Sequence, residues 1–317
     1  QAKKQVQIGD MVVLDQPITL QTPEGEWRPE NYDRKFSGPV TLRRALAKSI
    51  NLVAIQVLTD VGADQVISYA RKMGLQHRLN PVPALAIGAC EATPMEMARA
   101  YGIFPNHGTK VQPYCVEKIG GRDGRVLYEH SVDKEQVLPP ETAFIVADML
   151  TGVVQYGTGA SIPGRGFTRP AGGKTGTTND YSDAWFVGFT PQIVCAVWVG
   201  VDERRSLGAG VTGSRGAIPI WVGSMIAMHR DLPRTSFAKP ENVETVKVCP
   251  ETHKIATRYC PEPEVDYLVE ATSVDTCAVH GPRRTRRTDN IHRLFGSQKR
   301  RRPSPEKEQK KRRPLMF

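Results

Sequence analysis

The chain has 317 residues and a hydrophobic fraction of 39%, enough for one large domain or two ordinary ones with a real core. No apolar run approaches the ~18 residues of a membrane helix, and nothing near Gln1 has the basic start, apolar stretch and small-residue cleavage site of a signal peptide. The net charge is +10, but fourteen Lys and Arg face only three acids between Arg283 and Arg313, so the body is nearly neutral and the basic character belongs to the tail.

Residues 1–36 read as loop with short strands such as Met11–Leu14, interrupted by Pro17, Pro23 and Pro29. A helical pattern opens at Thr41, pauses at Lys48-Ser49-Ile50-Asn51 and resumes to Gly62, a C-terminal glycine stop. Asp64 opens a further helix, stopped by Gly74. Thr93-Pro94-Met95-Glu96 is a capping box with proline at the first helical position. The stretch around Asp123-Gly124 alternates as a hairpin does. A long amphipathic helix is expected over Glu141–Gln155 after Pro139-Pro140. Three strand-like runs follow, Gly172–Thr177, Ala184–Phe189 and Ile193–Val201, and then an apolar helix over Pro219–His229. Past Pro233 the texture changes to scattered Pro and Cys, which puts a boundary near Asp231. The expected division is therefore 1–231, a Pro- and Cys-containing extension 232–282, and a basic tail 283–317. With few apolar residues to bury, that tail is expected to be disordered. Its charge suits weak contact with an anionic surface: lipid headgroups, acidic cell-wall polymer or nucleic acid. Phe295 and the terminal Phe317 are the only Phe, Tyr or Trp side chains there, too few for base stacking.

Chemistry-bearing residues stand in two places. In Lys174-Thr175-Gly176-Thr177, strand alternation puts Lys174 and Gly176 on one face and the two threonines on the other. A strand with so little bulk at a sheet edge can pair with an extended peptide. The hydroxyls suit a carboxylate, and a fixed ammonium stabilises negative charge or shifts a neighbour's pKa. The second place is Ser49-Ile50-Asn51, where two helices meet; a hydroxyl and an amide two residues apart can both serve one cleft. Either motif alone reads more simply as a surface lysine or a helix cap.

In this order and separation the two resemble the S-D-N and K-T-G elements of penicillin-binding proteins and related β-lactamases, whose first element is S-x-x-K. The surrounding text is closer still. "WRPENYDRKFSGPVTLRRALAKSINLVAIQV", "ACEATPMEMARAYGIFPNHGT" and "GGKTGTTNDYSDAWFVGFTP" are similar to the transpeptidase portion of class A, bifunctional penicillin-binding proteins. The resemblance covers most of the chain to about His280. It implies an α/β (α+β) fold, an antiparallel sheet flanked by helices, of the serine β-lactamase-like type. It also implies a serine D-Ala-D-Ala transpeptidase that cross-links peptidoglycan stem peptides, is acylated by β-lactams, works at the extracytoplasmic (periplasmic) face of the inner membrane, and needs no metal or organic cofactor. On the matched positions Ser49 would relay a proton to the leaving nitrogen, and Asn51 would bond the substrate amide. Lys174 would support the relay. Thr175 and Thr177 would hold the terminal carboxylate, and the Thr177 N–H would form half of the oxyanion hole.

The first element is missing from its expected place. Before Ser49 stands only Ser37, with no lysine three residues on. The S-x-x-K strings Ser131–Lys134 and Ser236–Lys239 fall after Ser49, in hairpin and proline-flanked contexts. The expectation is a chain truncated on its N-terminal side, inactive by itself, with the nucleophile, membrane anchor and glycosyltransferase domain upstream of Gln1. Without the strands of that upstream part, "IVCAVWVGV" would be an exposed sheet edge. Asp180 and Asp183 read as part of a solvated turn. Cys90, Cys115 and Cys195 are expected to be buried thiols. The extracytoplasmic setting implied by the resemblance favours a Cys249–Cys260 disulfide. Free thiols, or a zinc set of Cys249, Cys260, Cys277 and His280, are the alternatives. Zinc is disfavoured because that set has a C-x2-H and no C-x2-C knuckle. Two other functions compete with the enzyme: an inactive cell-wall-binding or scaffold relative, and a membrane- or nucleic-acid-binding protein led by the tail.

Overall fold

The computed structural model describes residues 12–281, apart from 24, 179, 202, 204, 209 and 271–273. Gln1–His280 form one compact unit; a second unit, Gly281–Phe317, and with it the basic tail, lies almost wholly outside the described residues. Near the start, β1 (Val12–Asp15) pairs with β4 (Gly38–Thr41), and the intervening β2 (Leu20–Thr22) and β3 (Gly25–Trp27) form their own hairpin. The helical pattern beginning at Thr41 becomes α1 (Leu42–Lys48) and α2 (Asn51–Val61), with the pause at Ser49 as a break between them. α3 (Ala63–Met73) ends on Gly74 in the left-handed region, as expected.

The capping box opens α4 (Pro94–Gly102). The Glu96 carboxylate accepts from the N–H groups of Thr93 and Gln76 and bonds Nδ1 of His77. Burial alone would raise its pKa, but these bonds outweigh burial and hold it down at about 2. Beyond α4, β5 (Thr109–Val111) pairs with β8 (Lys134–Gln136), enclosing the hairpin of β6 (Lys118–Gly120) and β7 (Val126–Glu129) around Asp123-Gly124.

The core is built on α5 (Pro140–Gln155), the antiparallel meander β9 (Gly172–Thr177), β10 (Asp183–Phe189) and β11 (Val194–Gly200), and α6 (Ile218–Met228). Two-residue alternation on β10 decides which helix meets which face. Phe186 packs with Trp221, Ile218 and Met225 of α6, while Phe189, three residues on, packs with Ala147, Leu150 and Val153 of α5 and Ala47 of α1. The sheet order β11-β10-β9 leaves β9 on one edge and β11 on the other.

The stretch after Asp231 contains two strands that its proline-rich texture concealed, β12 (Val243–Val248) and β13 (Glu264–Val269). They pair antiparallel, and Val243, Tyr267 and Val269 pack on Phe144, Ile145 and Met149 of α5. Arg43 of α1 bonds Asp148 of α5 and Asp266 of β13, each at 2.5 Å, so the ribbon is tied to the helix that carries the Ser49 turn. The expected Cys249–Cys260 disulfide is not formed. Both are free, and they share a buried cluster with Cys277. Cys90 and Cys115, expected to be buried, are exposed because they sit on loops that no core element covers.

Candidate active site

Ser49 ends α1 in the left-handed region, with φ 58° and ψ 48°. A serine there costs about 1 kcal/mol or more, which the capping bonds Ser49 N–H to Leu46 O and Ile50 N–H to Ala45 O help to offset. The reversal turns the Ser49 hydroxyl away from the helix axis. α1 itself is held on two sides. Arg43 is clamped by its two carboxylates, and fully buried Ala47 lies against the loop after α5. There the Thr158 N–H donates to Ala47 O at 3.1 Å, and a Cβ on Gly157 would stand 2.3 Å from that same oxygen. Only glycine permits this approach, so Gly157 sets how close the loop after α5 comes to the end of α1.

On β9, Lys174 donates from Nζ to Ser49 Oγ at 2.7 Å and to Thr175 O at 3.1 Å. The two motifs, 125 residues apart, thus meet through one hydrogen bond. Burial of the ammonium lowers the Lys174 pKa to about 8, and no carboxylate among the described residues offsets that penalty. A Cβ on Gly176 would meet the Trp185 side chain at 3.1 Å. It is Gly213, just before α6, that must lack a side chain, since a Cβ there would lie 2.3 Å from Trp185 O and 2.8 Å from Gly176 O. On the opposite face from Lys174, the Thr175 hydroxyl bonds that of Thr158 at 2.7 Å, and Thr177 Oγ1 accepts from Gly213 N–H at 3.0 Å. Both threonine hydroxyls therefore have protein partners in this structure.

Asn51 begins α2 and donates from Nδ2 to Glu30 O at 3.1 Å. The α2 N-cap, Ile50, has no capping side chain; Asn31 supplies one from the loop, accepting from Leu52 N–H and donating to buried Asp15. Sequence reasoning passed over Asn31, Asp15, Thr158 and Arg43, because each acts across a long stretch of chain and none belongs to a local pattern. Asp183, at the start of β10, accepts from Ser182 Oγ beside it and from Trp198 Nε1 across on β11, both at 2.8 Å. Lys134 begins the exposed strand β8, and Ser236 and Lys239 lie in a non-helical loop. Neither S-x-x-K string offers the rigid helical turn that a nucleophile and its base require. A groove of about 470 Å³ beside α4 and β11 is lined by Met95, Tyr114 and Ile193 and excludes Ser49, Asn51 and Lys174; the Ser49–Lys174 contact belongs instead to the free edge of β9.

The Penicillin binding protein transpeptidase domain family matches residues 8–214, which include both motifs and the whole of β9. The chain belongs to that family. Curated relatives include penicillin-binding protein 1A of Aquifex aeolicus, 40% identical over 260 residues that make up 81% of this chain and 35% of that one. The counterpart from Pseudomonas aeruginosa is 35% identical, over 79% and 37% of the two chains. The chain thus spans about a third of the length of the curated relatives it matches. Among solved structures, penicillin-binding protein 1A of Haemophilus influenzae superposes with a TM-score of 0.78 at 27% identity, covering 85% of this chain and 46% of that one. The mixed fold of helices and antiparallel sheet is therefore that of a penicillin-binding protein transpeptidase domain.

Proposed function

We propose that this chain is the transpeptidase portion of an enzyme that cross-links peptidoglycan by acyl transfer from a D-Ala-D-Ala stem peptide. The observation that carries this reading is the 2.7 Å bond from Lys174 Nζ to Ser49 Oγ, which joins the two family motifs at a sheet edge where an extended peptide can lie. In acylation, a serine hydroxyl gives its proton to the base of its own S-x-x-K element, its oxygen bonds to the penultimate D-Ala carbonyl carbon, and the C–N bond to the terminal D-Ala breaks. The departing nitrogen must take up a proton. Ser49 accepts from Lys174 and so keeps its own hydroxyl proton free to give. Lys174, with its pKa near 8, replaces that proton at modest cost near neutral pH. A second stem peptide's amine then attacks the acyl-serine, and the serine is released.

Asn51 would bond the peptide amide, and Thr175 and Thr177 the terminal carboxylate, by exchanging the partners they have here. The acyl-bearing serine is assigned to a segment outside this sequence, since neither S-x-x-K string is helical. The setting is extracytoplasmic, with β-lactams as inhibitors; among the described residues no helix is long and apolar enough to cross a membrane.

Labelling of the intact gene product with fluorescent penicillin tests the proposal. A covalent adduct is expected, with its rate reduced about 10²–10³-fold by Lys174→Ala. The 317-residue chain alone is expected to form none. Failure of the intact protein to label would favour an inactive wall-binding relative, and an adduct on Ser49, Ser131 or Ser236 would refute the assignment of the nucleophile.

A further inference from the structure

At the tip of the β12–β13 ribbon, Cys249, Cys260, Cys277 and His280 bring three sulfurs and a ring nitrogen within 4.8 Å of one another. All three cysteines are buried, and His280 is mostly covered. Nδ1 of His280 is 3.4 Å from the sulfur of Cys249 and 3.4 Å from that of Cys277. Around tetrahedral zinc, with Zn–S near 2.3 Å and Zn–N near 2.0–2.1 Å, neighbouring sulfur and nitrogen ligands stand about 3.5 Å apart. The observed separations therefore suit ligands that share an ion.

The surroundings of the four atoms favour the same reading. The other ring nitrogen of His280, Nε2, is 3.3 Å from the Glu251 carboxylate. A carboxylate in that place fixes the tautomer and turns Nδ1 towards a metal. The sulfurs face backbone donors in a repeated geometry. Cys249 is approached by the N–H groups of Glu251 and Thr252, two and three residues on, and Cys277 by those of Val279 and His280 at the same offsets. Cys260 accepts from Thr257 N–H at 3.2 Å. Each thiolate would thus have its charge partly neutralised by backbone dipoles. The chain is threaded to bring the ligands together: Ile255 bridges both Val248 and Thr276, which sets the residue before Cys249 and the residue before Cys277 on either side of one backbone. A single disulfide here would strand a third buried thiol and an oriented imidazole.

We propose that Cys249, Cys260, Cys277 and His280 bind one structural Zn²⁺ as a closed Cys3His site that pins the tip of the β12–β13 ribbon, a role that goes beyond the transpeptidase reading and does not depend on it. All four positions are filled by protein, so the ion is structural and not catalytic. On binding, the three thiols release their protons and the imidazole coordinates in its neutral form.

The test uses the 317-residue chain purified without chelator. Elemental analysis is expected to find about one zinc per chain. Exchange with Co²⁺ should produce the intense visible bands of a tetrahedral site and a thiolate charge-transfer band. N-ethylmaleimide should modify exposed Cys90 and Cys115 at once, and Cys249, Cys260 and Cys277 only after a strong chelator. The exposed change Glu251→Gln leaves all four ligands in place and should weaken zinc binding about 10–100-fold. His280→Ala should abolish the tetrahedral cobalt spectrum. A zinc-free chain whose three thiols react as fast as Cys90, or peptide maps joining Cys249 to Cys260 through a disulfide, would overturn the proposal whatever the enzyme's activity.

Discussion

The Ser49–Lys174 junction and the cysteine cluster are both polar constellations within one compact unit, yet they are held in place by different means. The junction lies between apolar layers: Phe186, Trp221 and Met225 on one side of the sheet, Phe189, Leu150 and Val153 on the other. At the ribbon tip the buried cluster is made of the cysteines themselves, with Ala256 beside them. A long chain that folds back repeatedly can bury large side chains on both faces of a sheet. A short excursion cannot enclose enough apolar surface, and in such places cross-links or metals take over. Arg43 connects the two regimes, because it grips Asp266 of the ribbon from the helix that ends at Ser49.

The contrast breaks most visibly in the core. Trp221→Ala removes a fully buried ring that packs edge-on against Phe186 and Phe167 and should cost about 3–5 kcal/mol, read as a lower urea midpoint. A change near zero would mean that the sheet is not what holds the body. Arg43→Ala leaves Asp148 and Asp266 facing each other without their cation and should also cost about 3–5 kcal/mol. Hydrogen exchange is expected to speed up in both α1 and β13; faster exchange in only one of them would show that the clamp does not couple the regions. Chelator treatment should loosen the ribbon alone, with exchange rising over 249–280 while β9 and β10 keep their protection.

Two smaller effects come from titrating groups. Lys174 has an ordinary pKa of 10.5 when unfolded and about 8 when folded. Below pH 8 the full penalty for burying its charge is present. Between 8 and 10.5 the folded chain has released a proton that the unfolded chain still holds, so stability should rise with pH across that window. The difference between wild type and Lys174→Met, followed by denaturant melts, should show this rise; a flat difference would mean the ammonium is solvated. Glu96 runs the opposite way, since its folded pKa of about 2 lies below its usual 4.5. Its contribution is complete above 4.5 and fades as the pH falls towards 2. Glu96→Gln should cost about 1.5–3 kcal/mol at pH 7, and less at each step into acid.

Much of this was legible along the chain because the signals are local. The capping box at Thr93, the glycine stop at Gly74, the turn at Asp123-Gly124 and the alternation of β9, β10 and β11 all appear where those residues predict them. The Ser49 and Lys174 motifs were visible as well, although their contact was not. The ribbon escaped notice because Pro250, Pro261 and Pro263 sit between strands and break up the pattern. The meeting of Cys249 and Cys260 with Cys277 and His280 was not legible, because cysteine spacing says which thiols are present and not where their backbones lead.

The amino-acid sequence by itself determined the family, the order of the elements and the residues able to do chemistry, since periodicity, caps and motifs are written within a few residues of one another. Tertiary structure alone decided which of those residues meet. Lys174 bonds Ser49 across 125 residues of chain, beside a loop after α5 that closes on Ala47 only because Gly157 has no side chain. Three thiols and an imidazole converge because Ile255 holds two distant segments together. Each is a contact across a long loop, and the closing of such a loop depends on everything packed around it and not on the residues at its ends.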